Sequence, residues 1–261
     1  MEHLKIRKEL QKGRNELVNG QMKYVRFAVL RLEAGEAHEE KLENFECVAL
    51  LTEGQCRITV DGTELGSMGP RRNVFDDLPW AAYVPGGKTI HIDADQASEL
   101  TLSYAEWRQT SKAVLITPDD VVVNHRGKPG YERDVRDVAV KNVEADTILV
   151  GETINYAGQW SSYPPHKHDT EENGVETELE EVYFYKVDPP QGFGFQRIYT
   201  SDRSLDEAVT VEQNDLVLIP KGYHPVSAAP GYAVYYNWAL GGPKRQMQPH
   251  NDPDHEWVME S

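Results

Sequence analysis

Short apolar or alternating runs, separated by Gly, Pro, Asn and Asp, recur along the whole chain. In the first half they cover Tyr24–Leu32, Glu46–Leu51, Cys56–Val60, Ala81–Val84, Lys88–Ile92 and Glu99–Trp107. In the second half they cover Thr147–Glu152, Val182–Val187, Gly194–Tyr199, Glu207–Val211, Asp215–Ile219 and Ala233–Trp238. No window sustains a three-to-four residue apolar period beyond one or two turns, so amphipathic helices are not expected. Many short strands at close spacing predict an all-β sandwich or barrel.

The halves echo one another. Cys47–Leu51 is followed by Glu53-Gly54, by Arg57–Val60, then by Tyr83–Gly87 and a strand carrying His91. Val182–Tyr185 is followed by Gly192–Tyr199, then by Leu218–Gly222 and a segment carrying His224. A strand running into Pro-(Gly/Lys)-Gly with a histidine close behind occurs in both, which reads as a tandem duplication. The boundary is expected near Asn124–Val135, where Gly127, Pro129 and Gly130 sit among charges, giving domains 1–125 and 126–261.

At 261 residues there is room for two such units, and 39% apolar with 27% charged residues suits a folded globular chain. The formal charge of −16 repels phosphate backbones and anionic lipid, so no nucleic-acid or membrane partner is expected. An anionic substrate would then need a local basic pocket. Cys47 and Cys56 lie in one apolar segment and read as buried thiols rather than a disulfide framework. Residues 1–19 are charged, without an apolar signal-type core, and no run reaches the roughly 18 apolar residues of a membrane span. A cytoplasmic location is expected.

The candidate chemistry lies in the second half. His166 and His168, two apart on an extended segment, point to one face. Glu181 opens the strand Glu181–Tyr185, with Glu180 as a rival on the opposite face, and His224 follows Ile219–Tyr223. Three imidazoles and a carboxylate suit a divalent transition metal: Zn or Mn first, with Fe, Co or Ni also compatible. In the first half His38 has no partner at i+2 and His91 stands alone, so that unit is expected to be metal-free.

The segments Trp160–Asp169, Gly192–Thr200, Ser204–Glu207, Ile219–Val226, Pro230–Tyr232 and Asn251–Trp257 resemble the 5-deoxy-glucuronate isomerase family, a bicupin group. Arg72–Asp76 and Tyr83–Gly86 fit it more loosely, and Asn237–Gly242 departs from it. The resemblance implies two tandem jelly-roll β-barrels. It also implies a metal held by His166, His168, Glu181 and His224, because it places a ligand just before the Val-Tyr-Phe-Tyr strand. The reaction implied is an aldose–ketose isomerisation of 5-deoxy-glucuronate to 5-dehydro-2-deoxy-gluconate in inositol breakdown.

Such chemistry needs a base, for which Glu180, Asp169 and a hydroxide on the metal are the candidates, and a proton donor, Tyr223 or Tyr185. The substrate carboxylate needs a cation; Arg197 is the first choice, with Lys221 and Lys167 next. Rival readings are a cupin dioxygenase and a non-catalytic sugar-acid-binding cupin. A homodimer is the base-rate expectation for assembly.

Overall fold

The computed structural model describes residues 4–109 and 111–260, and strands dominate them. Among these residues the helical content is two 3-10 turns, Pro118–Asp120 and Glu256–Met259. Every run expected from alternation overlaps a strand. Glu46–Leu51 and Cys56–Val60 differ from expectation in forming one strand, Phe45–Val60. A bulge between Leu51 and Glu53 lets the chain bend through Gly54 instead of reversing there. Gly54 has φ +101°, and a Cβ would sit 2.3 Å from the Ala97 carbonyl, so only glycine fits.

The large sheet of the first half runs in the order Val114–Ile116, Trp80–Val84, Phe45–Val60, Ser98–Glu106, Val25–Leu32, Gly13–Val18. That of the second half runs Lys5–Ile6, Leu216–Ile219, Glu180–Asp188, Ala233–Gly241, Leu149–Asn155, Arg133–Ala139, Val122–Arg126. The six strands of the first order correspond in turn to the first six of the second, with Val122–Arg126 additional, so the sequence echo is a structural duplication. A second, smaller sheet closes each half over its own apolar interior. In the first half it continues from the far end of Phe45–Val60; in the second it contains Gly194–Tyr199, Asp206–Val211 and Val226–Ala228.

Two features depart from a simple division of the chain. The position beside Trp80–Val84 is filled by Val114–Ile116 of the same half, but its counterpart beside Leu216–Ile219 is filled by Lys5–Ile6. Arg7 locks that exchanged strand with paired hydrogen bonds of 2.7 Å to both oxygens of Asp215. Residues 124–135 form a hairpin rather than a linker, since Val122–Arg126 pairs with Arg133–Ala139 and a cut at 125/126 runs through a strand. Gly127 and Gly130, both at positive φ, make its turn.

The two large sheets pack face to face. Alternation along Glu180–Asp188 puts Val182 and Phe184 into this interface, where Phe184 meets Phe27 at 5.7 Å between ring centroids. Glu181, Tyr183 and Tyr185 face the interior of the second barrel. The interface also holds charge. Arg71 of the first half makes two 2.8 Å hydrogen bonds to Glu152 of the second, and neither side chain has any exposure. Tyr235 donates to the same carboxylate at 2.7 Å, and Arg136 approaches it at 3.4 Å.

Candidate metal centre

Three segments meet at one end of the second barrel. The short strand His166–Lys167 pairs with His250–Asn251, Glu181 begins the central strand beside Ile219, and His224 follows the turn after Leu216–Ile219. One ring nitrogen from each of His166, His168 and His224 lies within 4.8 Å of the others. Glu181 Oε2 lies 3.0 Å from His168 Nε2 and 3.2 Å from His224 Nε2.

The rings are aimed by their backbones. His168 Nδ1 donates to Leu179 O at 3.0 Å and His224 Nδ1 donates to Gly222 O at 2.9 Å, which leaves Nε2 of each facing the cluster. Gly222 has φ +93°, and a Cβ there would come within 2.6 Å of Tyr199 O. Asp169 ties the two histidine segments together: Oδ2 accepts from Gly222 N and Oδ1 from Lys167 Nζ, both at 2.7 Å.

The electrostatics match a cation site. Burial and the neighbouring rings of His224 and His168 push His166 well below the ordinary imidazole range. Burial also works against a charged His168, but the hydrogen bond and charge of Glu181 outweigh it and raise its pKa. Burial alone would raise Glu181, yet His168 and His224 hold it down at about 2. His224 Nε2 is buried and has no hydrogen-bond partner despite its nearness to Glu181. A buried, unpaired nitrogen beside a buried carboxylate and two further imidazoles fits a divalent metal. Metal uptake displaces the proton that His168 Nε2 shares with Glu181. Calorimetric titration with Zn²⁺ or Mn²⁺ near neutral pH is therefore expected to show proton release, with affinity falling as pH drops.

The cluster opens into a cavity of about 450 Å³ lined by His166, Glu181, Tyr183, Ser162, Tyr236 and Trp238. The same cavity is also lined by Arg126, Arg133, Lys141 and Asp137. Ser162 Oγ is 3.0 Å from Tyr183 Oη and 3.4 Å from Tyr236 Oη, a hydroxyl trio beside Glu181. Burial raises the pKa of Asp137.

The other residues singled out in the sequence lie elsewhere. Glu180 faces away from the cluster, as strand alternation demands, and accepts from Tyr24 N at 2.7 Å across the interface between halves. Asp169 is consumed by Lys167 and Gly222. Lys167 and Tyr223, each adjacent in sequence to a cluster histidine, line a separate cavity of about 420 Å³. There Lys167 pairs with Glu176, which folds the acidic segment 171–181 down onto it instead of leaving that segment wholly solvated. Tyr185 is fully buried below the cavity and donates to Gln196 at 2.8 Å.

Lys221 is exposed. Arg197 lies on the outer surface in a two-point pair with Asp206, because its neighbour Gln196 takes the inward position. Arg197→Ala is thus expected to change KM and kcat by less than about twofold in steady-state assays, as an exposed ion pair contributes little.

The hairpin residues Arg126 and Arg133 were not singled out. Their signal was present as alternation in Arg133-Asp-Val-Arg-Asp-Val-Ala139, masked by the Gly and Pro that suggested a linker.

Residues 7–258 match the model of the KduI/IolB family. The chain is 41% identical to the 5-deoxy-glucuronate isomerase of Halalkalibacterium halodurans over 93% of its own length and 90% of that protein. It is also 41% identical to the enzyme of that name from Geobacillus kaustophilus, with 91% and 87% coverage. The crystal structure of an IolB-like protein from Salmonella typhimurium superposes with a TM-score of 0.94 at 35% identity, covering 98% and 99% of the two chains. The oxalate decarboxylase of Lactobacillus farciminis superposes with a TM-score of 0.71 at 12% identity, which shows the two-barrel cupin fold alone. With this fold and these relatives the protein is an isomerase, and the chain belongs to the KduI/IolB family.

Proposed function

We propose that this isomerase interconverts 5-deoxy-glucuronate and 5-dehydro-2-deoxy-gluconate with a divalent transition metal held by His166, His168, Glu181 and His224. The observation that carries this reading is the cluster itself: three imidazole nitrogens within 4.8 Å and a buried carboxylate, with His166 and Glu181 lining a cavity large enough for a sugar acid. The names of relatives that match nearly end to end support the substrate. They also favour isomerisation over the oxygenase and simple binding alternatives.

In an aldose–ketose isomerisation one proton leaves C2 and is delivered to C1, and a second moves from the C2 hydroxyl to the C1 oxygen. When bound, a divalent metal supplies the Lewis acidity that makes the carbon-bound proton removable. The chain supplies the rest. Tyr183 Oη, Ser162 Oγ and Tyr236 Oη are linked at 3.0 and 3.4 Å and offer a relay for the proton that passes between the substrate oxygens. Burial keeps both phenols protonated, so they enter the reaction as donors. Asp137 is the one cavity carboxylate outside the cluster among the described residues, and its raised pKa suits it to hold and return the carbon-bound proton. Trp238 and Tyr236 wall the space against bulk water.

The test follows the aldehyde proton of 5-deoxy-glucuronate by NMR with metal-loaded and chelated protein. Loss of that signal with growth of the ketone product, abolished by chelation and restored by metal, is the expected result. No conversion by metal-loaded protein would remove this substrate from consideration.

A further inference from the structure

Part of the lining of the cavity that holds His166 and Glu181 comes from a hairpin of which the first half of the molecule has only one strand. Strand Arg133–Ala139 corresponds to Gly13–Val18 of the first half, but the edge strand Val122–Arg126 has no counterpart in the first half's sheet order. In the ladder between these strands Arg126 stands directly opposite Arg133. Side chains opposite one another in an antiparallel pair share a face, and like charges there repel. Both arginines line the cavity that holds His166 and Glu181, and Lys141 adds a third cation.

Against these three cations the same cavity carries one carboxylate outside the cluster among the described residues, Asp137, on which the charges of Arg126 and Lys141 act. Among the described residues neither Arg126 nor Arg133 forms an ion pair. Arg133 Nη1 donates to Tyr131 O at 3.0 Å, while its Nε is buried without any partner. Burial, together with Arg126, lowers the Arg133 pKa, the effect of a guanidinium enclosed beside its own kind. At the register position across from Arg133 on its other side, Asn155 is fully buried with both its amide nitrogen and oxygen unpaired. A chain of net charge −16 has therefore placed three cations on the cavity that holds His166 and Glu181, with one carboxylate, Asp137, beside them, and it leaves Asn155 unpaired in register with Arg133. Unpaired buried donors are costly unless a ligand meets them.

We propose that Arg133, assisted by Arg126, anchors the carboxylate of the sugar acid, so that the opposite, carbonyl end of the substrate is presented to the histidine cluster. This rests on the isomerase reading above and adds to it the residue that selects an acid over a neutral sugar. A guanidinium offers the two-point contact that a carboxylate prefers, and the second, exposed arginine on the same cavity steers the anion inward. Arg197, the choice made from sequence, cannot serve, because Asp206 already occupies its fork on the outer surface.

The test separates binding from turnover. The probes are the alcohol acid made by reducing the aldehyde of 5-deoxy-glucuronate, which cannot isomerise, and its methyl ester, which lacks the charge. Metal-loaded wild type and Arg133→Ala are titrated with each by calorimetry, with circular dichroism and metal content as controls. Wild type is expected to bind the acid at least about tenfold more tightly than the ester. In Arg133→Ala that preference is expected to shrink to within about twofold, with ester affinity and metal content unchanged, and Arg133→Lys is expected to recover part of it.

An acid preference that survives in Arg133→Ala, or an equal loss of acid and ester binding, would overturn the anchor even if wild type isomerises 5-deoxy-glucuronate. An Arg133-dependent acid preference in a wild type that leaves 5-deoxy-glucuronate unchanged would uphold the anchor and remove the substrate assignment instead.

Discussion

His168→Ala is expected to lower kcat/KM on 5-deoxy-glucuronate by about three orders of magnitude, and to leave the purified protein nearly free of transition metal. The magnitude follows from the several kcal/mol of charge stabilisation that a catalytic metal supplies, at about 1.4 kcal/mol per factor of ten. His168 is the sensitive position because it sits at the centre of the arrangement. Its Nδ1 is fixed by Leu179 O, its Nε2 faces Glu181, and its ring lies 5.0 Å from that of His224. Alanine also leaves Glu181 buried with one partner fewer, so part of the damage should appear as weakened folding. Metal content by mass spectrometry and kinetics on the same preparation check the prediction together. Retained metal with lost activity would assign His168 a role in proton handling instead, and retained activity would end the case for this centre. Glu181→Gln, which keeps the shape and removes the charge, should weaken metal binding less than His168→Ala while still depressing kcat.

The second large effect concerns the folded state. Glu152→Gln is expected to destabilise the protein by about 3–5 kcal/mol, because it leaves the guanidinium of Arg71 buried without its counter-charge. Arg71 is fully enclosed, and its remaining partners are the carbonyls of Leu51 at 2.6 Å and Asp77 at 3.1 Å. Arg136 loses the same counter-charge, and the single oxygen of glutamine must serve Arg71 and Tyr235 where two carboxylate oxygens did, with an NH2 group turned toward a donor. Denaturant titration gives the free energy directly, and scanning calorimetry should show a fall in Tm on the order of 10 °C. Replacing both members, Arg71→Met with Glu152→Leu, should recover much of the loss, since an apolar pair of similar volume carries no desolvation cost. A cost below about 1 kcal/mol for Glu152→Gln would mean that water or rearrangement reaches the site.

The parts of this molecule that could be read from the chain are those where one residue decides one face. Strict alternation made the central strands visible, and the pair His166 and His168 made the cluster visible, because both rest on the two-residue period of a strand. The same period separated Glu181 from Glu180 and sent Arg197 outward when Gln196 turned in. Three things were not legible. Glu53-Gly54 reads locally as a turn, and only pairing with Glu99 carries the strand through it. Edge strands such as Gly13–Val18 and Thr63–Arg71 are too polar to stand out, since one side of each meets solvent. The cationic wall escaped because Arg126 and Arg133 are brought together by a hairpin whose turn residues resemble those of a linker. Which cation faces a cavity is decided by register, and register is a property of pairing rather than of local composition.

The exchanged strand has a consequence for the order of events in making the protein. Lys5–Ile6 leaves the ribosome long before its partner Leu216–Val217 exists, so the first barrel must complete itself around a segment that remains unclaimed. The last clasp of Arg7 on Asp215 forms at one end of the strand whose other end leads through Ile219 to Gly222 and His224. Assembly of the histidine cluster is thereby tied to recapture of a segment made some two hundred residues before it, and a nascent protein halted after the first barrel holds an open edge waiting for its other half.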